Sequence, residues 1–278
     1  MNGERLAVSA EQRDNGRKRV GLAMGGGSVR GVAHLGVLEV LLREGIPIDC
    51  VAGTSAGSIL AALYCGGLTL EEVFKYAPYV NWRRLASPSF SLALSGDGFL
   101  ELDRLARWLT MLLGDKDLAE TNPPLAIVTM DAETGERIVL TEGPLAKAVQ
   151  ASCSIPMVFK PVEWNGRLLS DGGLVDNLPV LAAREIGADY VIGVDIFQPI
   201  YSRRFGILGR GMTAIETLVQ HAGGGLALAD CLIMPNLAGK SYWRFSEFDN
   251  LYALGREAAE NALPEIRALL QQCQESEP

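Results

Sequence analysis

The sequence predicts an α/β protein with three layers, α/β/α, around a mainly parallel central sheet. An apolar strand, a glycine-rich loop and an apolar helix occur twice in succession between residues 19 and 65. This βαβα order is typical of parallel sheets with helices on their faces. The chain has 278 residues, of which 48% are hydrophobic, and this size fits one large core better than two small ones.

Composition limits the partners and the compartment. The net charge of -8 argues against nucleic acid and against purely electrostatic docking on anionic lipid, so any membrane contact is expected to be transient or apolar. Five scattered cysteines without a C-x-x-C pair predict buried free thiols in the cytoplasm. Residues 1–18 are polar, without the apolar core of a signal peptide, and no segment reaches transmembrane length. We therefore expect a flexible tail over 1–18 and one domain over 19–278, cytoplasmic or peripheral at the membrane.

The first unit is a strand over 19–24, a loop over 25–31 and a helix from Val32. The loop does not fit a dinucleotide fingerprint in either register, and it lacks the Gly-Lys-Ser/Thr of a phosphate-binding loop. The remaining interpretation is an oxyanion hole built from backbone N–H groups. Arg30 has three possible roles at this stage: bracing the loop, meeting an anionic head group or forming a structural ion pair.

The second unit carries the pattern G-x-S-x-G at Gly53-Thr54-Ser55-Ala56-Gly57, between an apolar strand and an apolar helix. In this setting the pattern predicts a nucleophile elbow rather than a plain glycine-rich turn. The turn is so tight that the positions two before and two after the serine cannot hold a side chain, which explains the glycines there. Ser55 would then lie at a helix N-terminus, where partial positive charge favours a developing oxyanion.

The rest of the chain alternates between helices and strands. Helices are expected near 69–77, 101–113, 144–152, 179–186, 212–228 and 251–272, and strands near 125–130, 137–140, 159–164, 167–170, 189–195 and 231–234. Asn165-Gly166 is a strong hairpin signal. The irregular segments 78–100 and 196–211 are candidate loops at the mouth of a site.

A serine nucleophile needs a base, and the chain has only two histidines. Asp195 with His221 would give the Ser…Asp…His order of ordinary α/β-hydrolases, but His221 lies in an apolar helical pattern that favours a packing role. His34, one turn after the glycine-rich loop, is expected to pack or to support the site. Asp171 follows a strand and precedes two glycines, so either it is a carboxylate that approaches Ser55 closely or it forms an Asp-Gly turn. As a base it would need desolvation.

Together these segments resemble the patatin-like phospholipase family of compact bacterial type. The motifs that carry the resemblance are Gly25-Gly26-Gly27-Ser28-Val29-Arg30-Gly31, Gly53-Thr54-Ser55-Ala56-Gly57 and Asp171-Gly172-Gly173, with supporting segments at 151–156 and 176–179. The resemblance covers residues from about 20 to about 270. It implies a dyad of Ser55 and Asp171 without histidine, an oxyanion hole at Gly25, Gly26, Gly27 and Ser28, acyl esters of lipids as substrates, and no metal or cofactor.

Two residues depart from the family pattern. Ser28 and Met157 both stand where many members have glycine, and neither change removes a catalytic group. The alternatives are a weakly catalytic regulatory protein with this fold, an esterase that uses His221 in an ordinary triad, and a nucleotide-binding protein.

Overall fold

The computed structural model describes residues 17–77, 82–88, 100–198, 206–240 and 247–275. Its strands are β1 (Val20–Met24), β2 (Cys50–Thr54), β3 (Ser87–Pro88), β4 (Leu100–Glu101), β5 (Leu125–Asp131), β6 (Arg137–Leu140), β7 (Val162–Trp164), β8 (Arg167–Asp171), β9 (Tyr190–Val194) and β10 (Cys231–Ile233). Its α-helices are α1 (Val32–Arg43), α2 (Ala56–Cys65), α3 (Leu70–Tyr76), α4 (Trp82–Leu85), α5 (Asp103–Leu113), α6 (Leu145–Ser152), α7 (Val180–Glu185), α8 (Gly206–Gln220), α9 (Gly225–Leu228) and α10 (Phe248–Glu275).

The central sheet has eight strands in the order β10-β9-β1-β2-β5-β8-β7, and β6 pairs with β5. The five strands from β10 to β5 are parallel, whereas β6, β7 and β8 add antiparallel pairs. The predicted fold class, a mainly parallel sheet between helices, is confirmed. A separate two-stranded ladder joins β3 and β4.

Alternation along the strands divides the core between the two faces of the sheet. Leu22 and Met24 belong to the larger apolar cluster, with residues of α1, α2, α6 and α10, whereas Ala23 belongs to a smaller cluster with residues of α7. Small side chains dominate the smaller cluster, which lets α7 pack closely. A Cβ at Gly21 would lie 2.7 Å from the Cβ of Ala188, which shows how little space this face leaves. Cys50, Cys65, Cys153 and Cys231 are buried free thiols, as predicted.

The pairing of β5 brings two distant strand ends together. Val128 pairs with Thr54 of β2 and with Val139 of β6, and Thr129 pairs with Asp171 of β8 and again with β6. Because β6 pairs with one edge of β5 at residues 127–130, where β5 also pairs with β2 and then with β8, these two strands share the other edge, one after the other. They run in opposite directions along it, so their C-terminal ends meet.

Two predicted boundaries near α8 are wrong. Residues 206–211, expected to be irregular, open α8, and the helix expected over 212–228 is interrupted at 221–224. Gly223 and Gly224 have φ values of 76° and 65°, and glycine reaches this left-handed region without the penalty of a Cβ. The break turns the chain from α8 into α9.

Arg17 and Asp49 form a contact at the edge of the segment predicted to be a tail. Arg17, expected in the tail, forms two hydrogen bonds with the carboxylate of Asp49, at 2.8 and 2.6 Å. Asp49 also accepts the backbone N–H of Val20, so Arg17 is held at the first strand. The remaining tail, 1–16, and much of the predicted mouth loops, 78–81, 89–99 and 199–205, lie outside the described residues. Among the helices that are described, none has the length and apolar character needed to cross a membrane.

Candidate active site

The elbow between β2 and α2 has the tight geometry that its glycines predict. Ser55 has a φ of 50° and a ψ of -121°, a conformation that is rare for a residue with a side chain. A Cβ at Gly57 would lie 2.1 Å from the carbonyl oxygen of Met24, and one at Gly53 would lie 2.7 Å from the Cα of Ser58. The strained turn lifts Ser55 off the end of the sheet, as in a nucleophile elbow.

Ser55 and Asp171 form a direct pair. The Oγ of Ser55 donates a hydrogen bond of 2.6 Å to Oδ2 of Asp171, and both residues are buried. Oδ1 of the same carboxylate accepts the backbone N–H of Gly173 at 2.8 Å. Each carboxylate oxygen therefore has its own hydrogen-bond partner. Together the two bonds fix the orientation of the carboxylate, with Oδ2 directed at the serine. A Cβ at Gly172 would lie 2.5 Å from the carbonyl oxygen of Val128, so the turn after Asp171 requires glycine.

Burial raises the pKa of Asp171 from 3.8 to about 6, although the hydrogen bonds from Ser55 and Gly173 act in the opposite direction. Desolvation destabilises the charged form of a carboxyl group and thereby makes the carboxylate a stronger base. This is the property that the sequence argument required of Asp171. A base with a pKa near the working pH combines a large ionised fraction with a useful affinity for the proton.

A second serine, which the sequence argument did not single out, holds the backbone of Ser55 in place. The backbone N–H of Ser55 donates to Oγ of Ser152 at 2.8 Å, and that hydroxyl donates to the carbonyl of Val128 at 2.7 Å. The carbonyl of Ser55 accepts the hydroxyl of Ser58 at 2.6 Å. The segment around Ser152 was recognised as similar to the family, but a hydroxyl on a helix gives no local signal of a partner 97 residues away.

The glycine-rich loop only partly fits the predicted oxyanion hole. The N–H of Gly25 donates to the carbonyl of Val194 at 3.0 Å, and that of Gly26 donates to the carbonyl of Asn177 at 3.1 Å. These two amides anchor the loop, so the expectation that they hold an oxyanion is wrong. Gly27 and Ser28 line the cavity over Ser55, and the N–H of Gly27 has no hydrogen-bond partner within the described part of the chain.

His34 and Arg30 support this loop from inside the protein. The fully buried ring of His34 bonds through Nε2 to the carbonyl oxygen of Gly25 at 2.8 Å. Burial lowers the pKa of His34 to about 4, so the ring is neutral at pH 7 and Nε2–H is the donor. The fully buried guanidinium of Arg30 donates to the carbonyls of Gln198 and Lys240, at 2.5 and 2.6 Å. Arg30 therefore braces the loop against the segments that end at Gln198 and Lys240.

The cavity above the pair encloses about 590 Å³ of empty space, part of which is open to solvent. One face of α8 covers the cavity. The residues of α8 that line it recur at intervals of three or four positions, so they lie on the same side of the helix. The described residues that line the cavity are Gly26, Gly27, Ser28, Ser55, Ile155, Pro156, Asp171, Gly173, Leu174, Asn177, Phe197, Met212, Ile215, Glu216 and Val219. Asn177 and the α8 face were not predicted. The sequence pattern of an amphipathic helix is recognisable, but it does not indicate which part of the protein the apolar face packs against.

The alternative triad is not assembled. His221 is exposed at the end of α8, contrary to the expected packing role, whereas Ser55 is bonded to Asp171. Asp195 accepts the backbone N–H of Phe197 at 2.9 Å, and burial raises its pKa. The helix expected to hold His221 in the core ends one residue before it.

Both departures from the family pattern fall on left-handed backbone. Ser28 has a φ of 55° and Met157 a φ of 68°, a region that glycine adopts most easily. The glycine frequent at these positions in the family therefore has a conformational reason. The thioether of Met157 reaches α8, since a Cβ built on Gly211 would lie 2.9 Å from its terminal methyl.

Comparison with known proteins confirms the resemblance. The family model described as patatin-like phospholipase matches residues 22–184, more than half of the chain, and the protein belongs to this family. Among individual relatives, an uncharacterized NTE family protein of Mycobacterium tuberculosis is 34% identical over 187 residues, which are 66% of this chain and 51% of that protein. Lysophospholipase NTE1 of Saccharomyces cerevisiae is 31% identical over 183 residues, 64% of this chain and 11% of that protein.

The chain thus spans about half the length of its mycobacterial relatives and about a tenth of the yeast enzyme. Two solved structures share the fold. VipD from Legionella pneumophila matches with a TM-score of 0.51 and 13% identity, over 92% of this chain and 67% of that one. ExoU of Pseudomonas aeruginosa, a type III effector, matches with a TM-score of 0.50 and 12% identity, over 90% of this chain and 53% of that one.

Proposed function

We propose that the protein is a serine esterase that hydrolyses acyl esters of lipids with a Ser55–Asp171 dyad. The observation that carries the proposal is the 2.6 Å hydrogen bond from the Ser55 hydroxyl to a buried carboxylate with a raised pKa. Membership of the patatin-like phospholipase family supports lipid hydrolysis. The similarity to yeast lysophospholipases favours lysophospholipids, which have one acyl chain, as substrates.

Acylation begins when Asp171 accepts the hydroxyl proton of Ser55 while Oγ forms a bond to the ester carbonyl carbon. The carbonyl oxygen becomes an oxyanion, held by the backbone N–H groups of Gly27 and Ser28. The tetrahedral intermediate then collapses, its bond to the alcohol oxygen breaks, and the alcohol leaves with the proton from Asp171. Deacylation repeats the sequence with water as the nucleophile, and it returns the hydroxyl proton to Ser55.

The proposal predicts a specific pattern of labelling and activity. A fluorophosphonate probe should label the wild type and lose the label in Ser55→Ala, with a known serine hydrolase as the control for reagent quality. Asp171→Asn should lower hydrolysis of a lysophospholipid by at least about 1000-fold, because Asn cannot accept the proton. His221→Ala, the matched control at an exposed imidazole, should retain most of the activity.

Two results would decide against the dyad. Loss of activity in His221→Ala together with survival in Asp171→Asn would restore an ordinary triad. A folded wild type that is neither labelled nor active would favour the regulatory alternative. Mass spectrometry of lipids consumed by the wild type but not by Ser55→Ala would then define the substrate of an active protein.

We further propose transient contact with a lipid surface near the cavity. Met157 and Leu218 are 43% and 60% exposed, and each adjoins a residue that lines the cavity, Pro156 and Val219 respectively. With a net charge of -8, the protein is expected to use such apolar side chains rather than electrostatic attraction.

Sedimentation with phosphatidylcholine vesicles tests this contact. Replacing both Met157 and Leu218 by Ser should weaken binding by at least about tenfold, since full burial of one such side chain contributes about 1.5–3 kcal/mol. Leu226→Ser is the matched control, because Leu226 is 45% exposed and neither it nor its chain neighbours Gly225 and Ala227 line the cavity. Equal binding by the control and the double variant would contradict the assignment.

A further inference from the structure

A second cavity, partly open to solvent, lies on the other side of the glycine-rich loop. Its walls come from the 3-10 turn Ser28–Gly31 and from α1, α2 and α3. The described residues that line it are mostly aliphatic, among them Leu35, Leu60, Leu63 and Val73, and they include Ser28. Ser28 is the single polar side chain in this set.

The position of the cavity connects it to the nucleophile. Ala56, the residue after Ser55, lines it, and the face of α2 that follows continues the wall at Ile59, Leu60 and Leu63. These positions are three, four and seven residues after Ala56, so they share one side of the helix. Ser28 lines both this cavity and the catalytic one. The two cavities therefore lie on either side of Ser28, one of the proposed oxyanion donors.

The chemistry of the lining selects an apolar ligand. Protein interiors are close-packed, and a void among aliphatic side chains forfeits contacts unless a ligand fills it. Empty apolar cavities remain dry and bind hydrocarbon rather than water. The catalytic cavity is also lined mainly by apolar groups, but Asn177 and Glu216 add an amide and a carboxyl group to its lining.

The geometry points to the second cavity as the binding site for the acyl chain of the substrate. This inference rests on the proposed ester hydrolysis. When Oγ of Ser55 bonds the acyl carbon and the oxyanion faces Gly27 and Ser28, the first methylene groups lie beside Ser28 and Ala56. The chain continues between α1, α2 and α3, and the alcohol portion occupies the catalytic cavity beneath α8.

Hydrolysis of a series of p-nitrophenyl esters tests this assignment. With acyl chains of about 4 to 16 carbons, kcat/KM of the wild type should rise by up to about fourfold per methylene while the chain fits the cavity. Val73→Phe should fill the cavity and lower kcat/KM for long chains by about tenfold, with little change for the shortest ester. Leu63→Ala should enlarge it and move the optimum to longer chains.

A matched variant separates this effect from lost stability. Leu109→Ala removes the same atoms from a fully buried leucine in α5 that lines neither cavity, and it should keep the wild-type chain-length profile. If folded Val73→Phe and Leu63→Ala both keep that profile, the assignment is overturned. If Val73→Phe does not fold, the test depends on Leu63→Ala alone. Its optimal chain length should then be longer than that of Leu109→Ala, and an equal optimum would overturn the assignment.

Calorimetric binding of laurate to Ser55→Ala gives a readout that needs no turnover. Laurate should bind this variant, and addition of Leu63→Ala should shift the preference toward longer fatty acids whereas addition of Leu109→Ala should not. Absence of laurate binding would overturn the acyl site even if the wild type hydrolyses esters. A wild type without any esterase activity would refute the proposed function instead, and the binding result would still decide whether the cavity takes acyl chains.

Discussion

Asp171→Asn is expected to inactivate the protein and at the same time to stabilise it above pH 6. Asp171 has a pKa of about 6 in the folded protein, against 3.8 as its ordinary value, because burial disfavours the carboxylate. A group with a raised folded pKa favours folding fully below its unfolded pKa, and this contribution is lost as the pH rises through the folded pKa. The charged carboxylate therefore costs the wild type stability above pH 6.

The size of the effect follows from the pKa difference. About two units correspond to an upper value of about 3 kcal/mol at 1.36 kcal/mol per unit. Asparagine keeps both contacts, since its carbonyl oxygen can accept the N–H of Gly173 and its amide can donate to Oγ of Ser55. The gain should be close to zero near pH 4, grow between about pH 4 and pH 6, and raise the Tm by on the order of 5 °C at pH 8.

Differential scanning calorimetry of the wild type and Asp171→Asn from pH 4 to pH 8 measures this dependence. Glu133→Gln is the control, because Glu133 is an exposed carboxyl group on a turn and its neutralisation should leave the stability difference flat. A loss of stability in Asp171→Asn at pH 8, or a gain that does not change with pH, would refute the claim that desolvation of Asp171 dominates its energetics.

Three further predictions concern the base, the loop and the elbow. The kcat/KM should rise about tenfold per pH unit up to about pH 6 and then level off, because Asp171 must be ionised, and a flat profile from about pH 5 upward would argue against it. His34→Phe should lower the free energy of unfolding, measured with urea, by about 1–3 kcal/mol, because the carbonyl of Gly25 loses its hydrogen-bond donor. It should also reduce kcat, and an unchanged kcat would show that the loop does not affect catalysis. Gly57→Ala should lower the free energy of unfolding by more than about 2 kcal/mol, because its Cβ would lie 2.1 Å from a carbonyl oxygen of β1. A variant as stable as the wild type in thermal melting would contradict the elbow geometry.

The local sequence determined the elements whose signals are short-range. The strand, glycine turn and helix around Ser55 follow from apolar runs and from the steric need for glycine, so their order along the chain was predicted. The break after α8 was missed, because apolar spacing continues through His221 while Gly223 and Gly224 turn the chain. Glycine alone inside an apolar pattern does not distinguish a tolerated residue from a turn.

The sequence by itself therefore determined the fold class, the elbow at Ser55 and the identity of Asp171 as the candidate base. Only the tertiary structure decided how they meet, through β2 and β8 on one edge of β5. It also decided that the amides of Gly25 and Gly26 anchor their loop rather than face the cavity. The physical reason is that strand propensity and glycine turns act over a few residues, whereas each backbone donor takes its partner from whichever distant segment the sheet brings beside it.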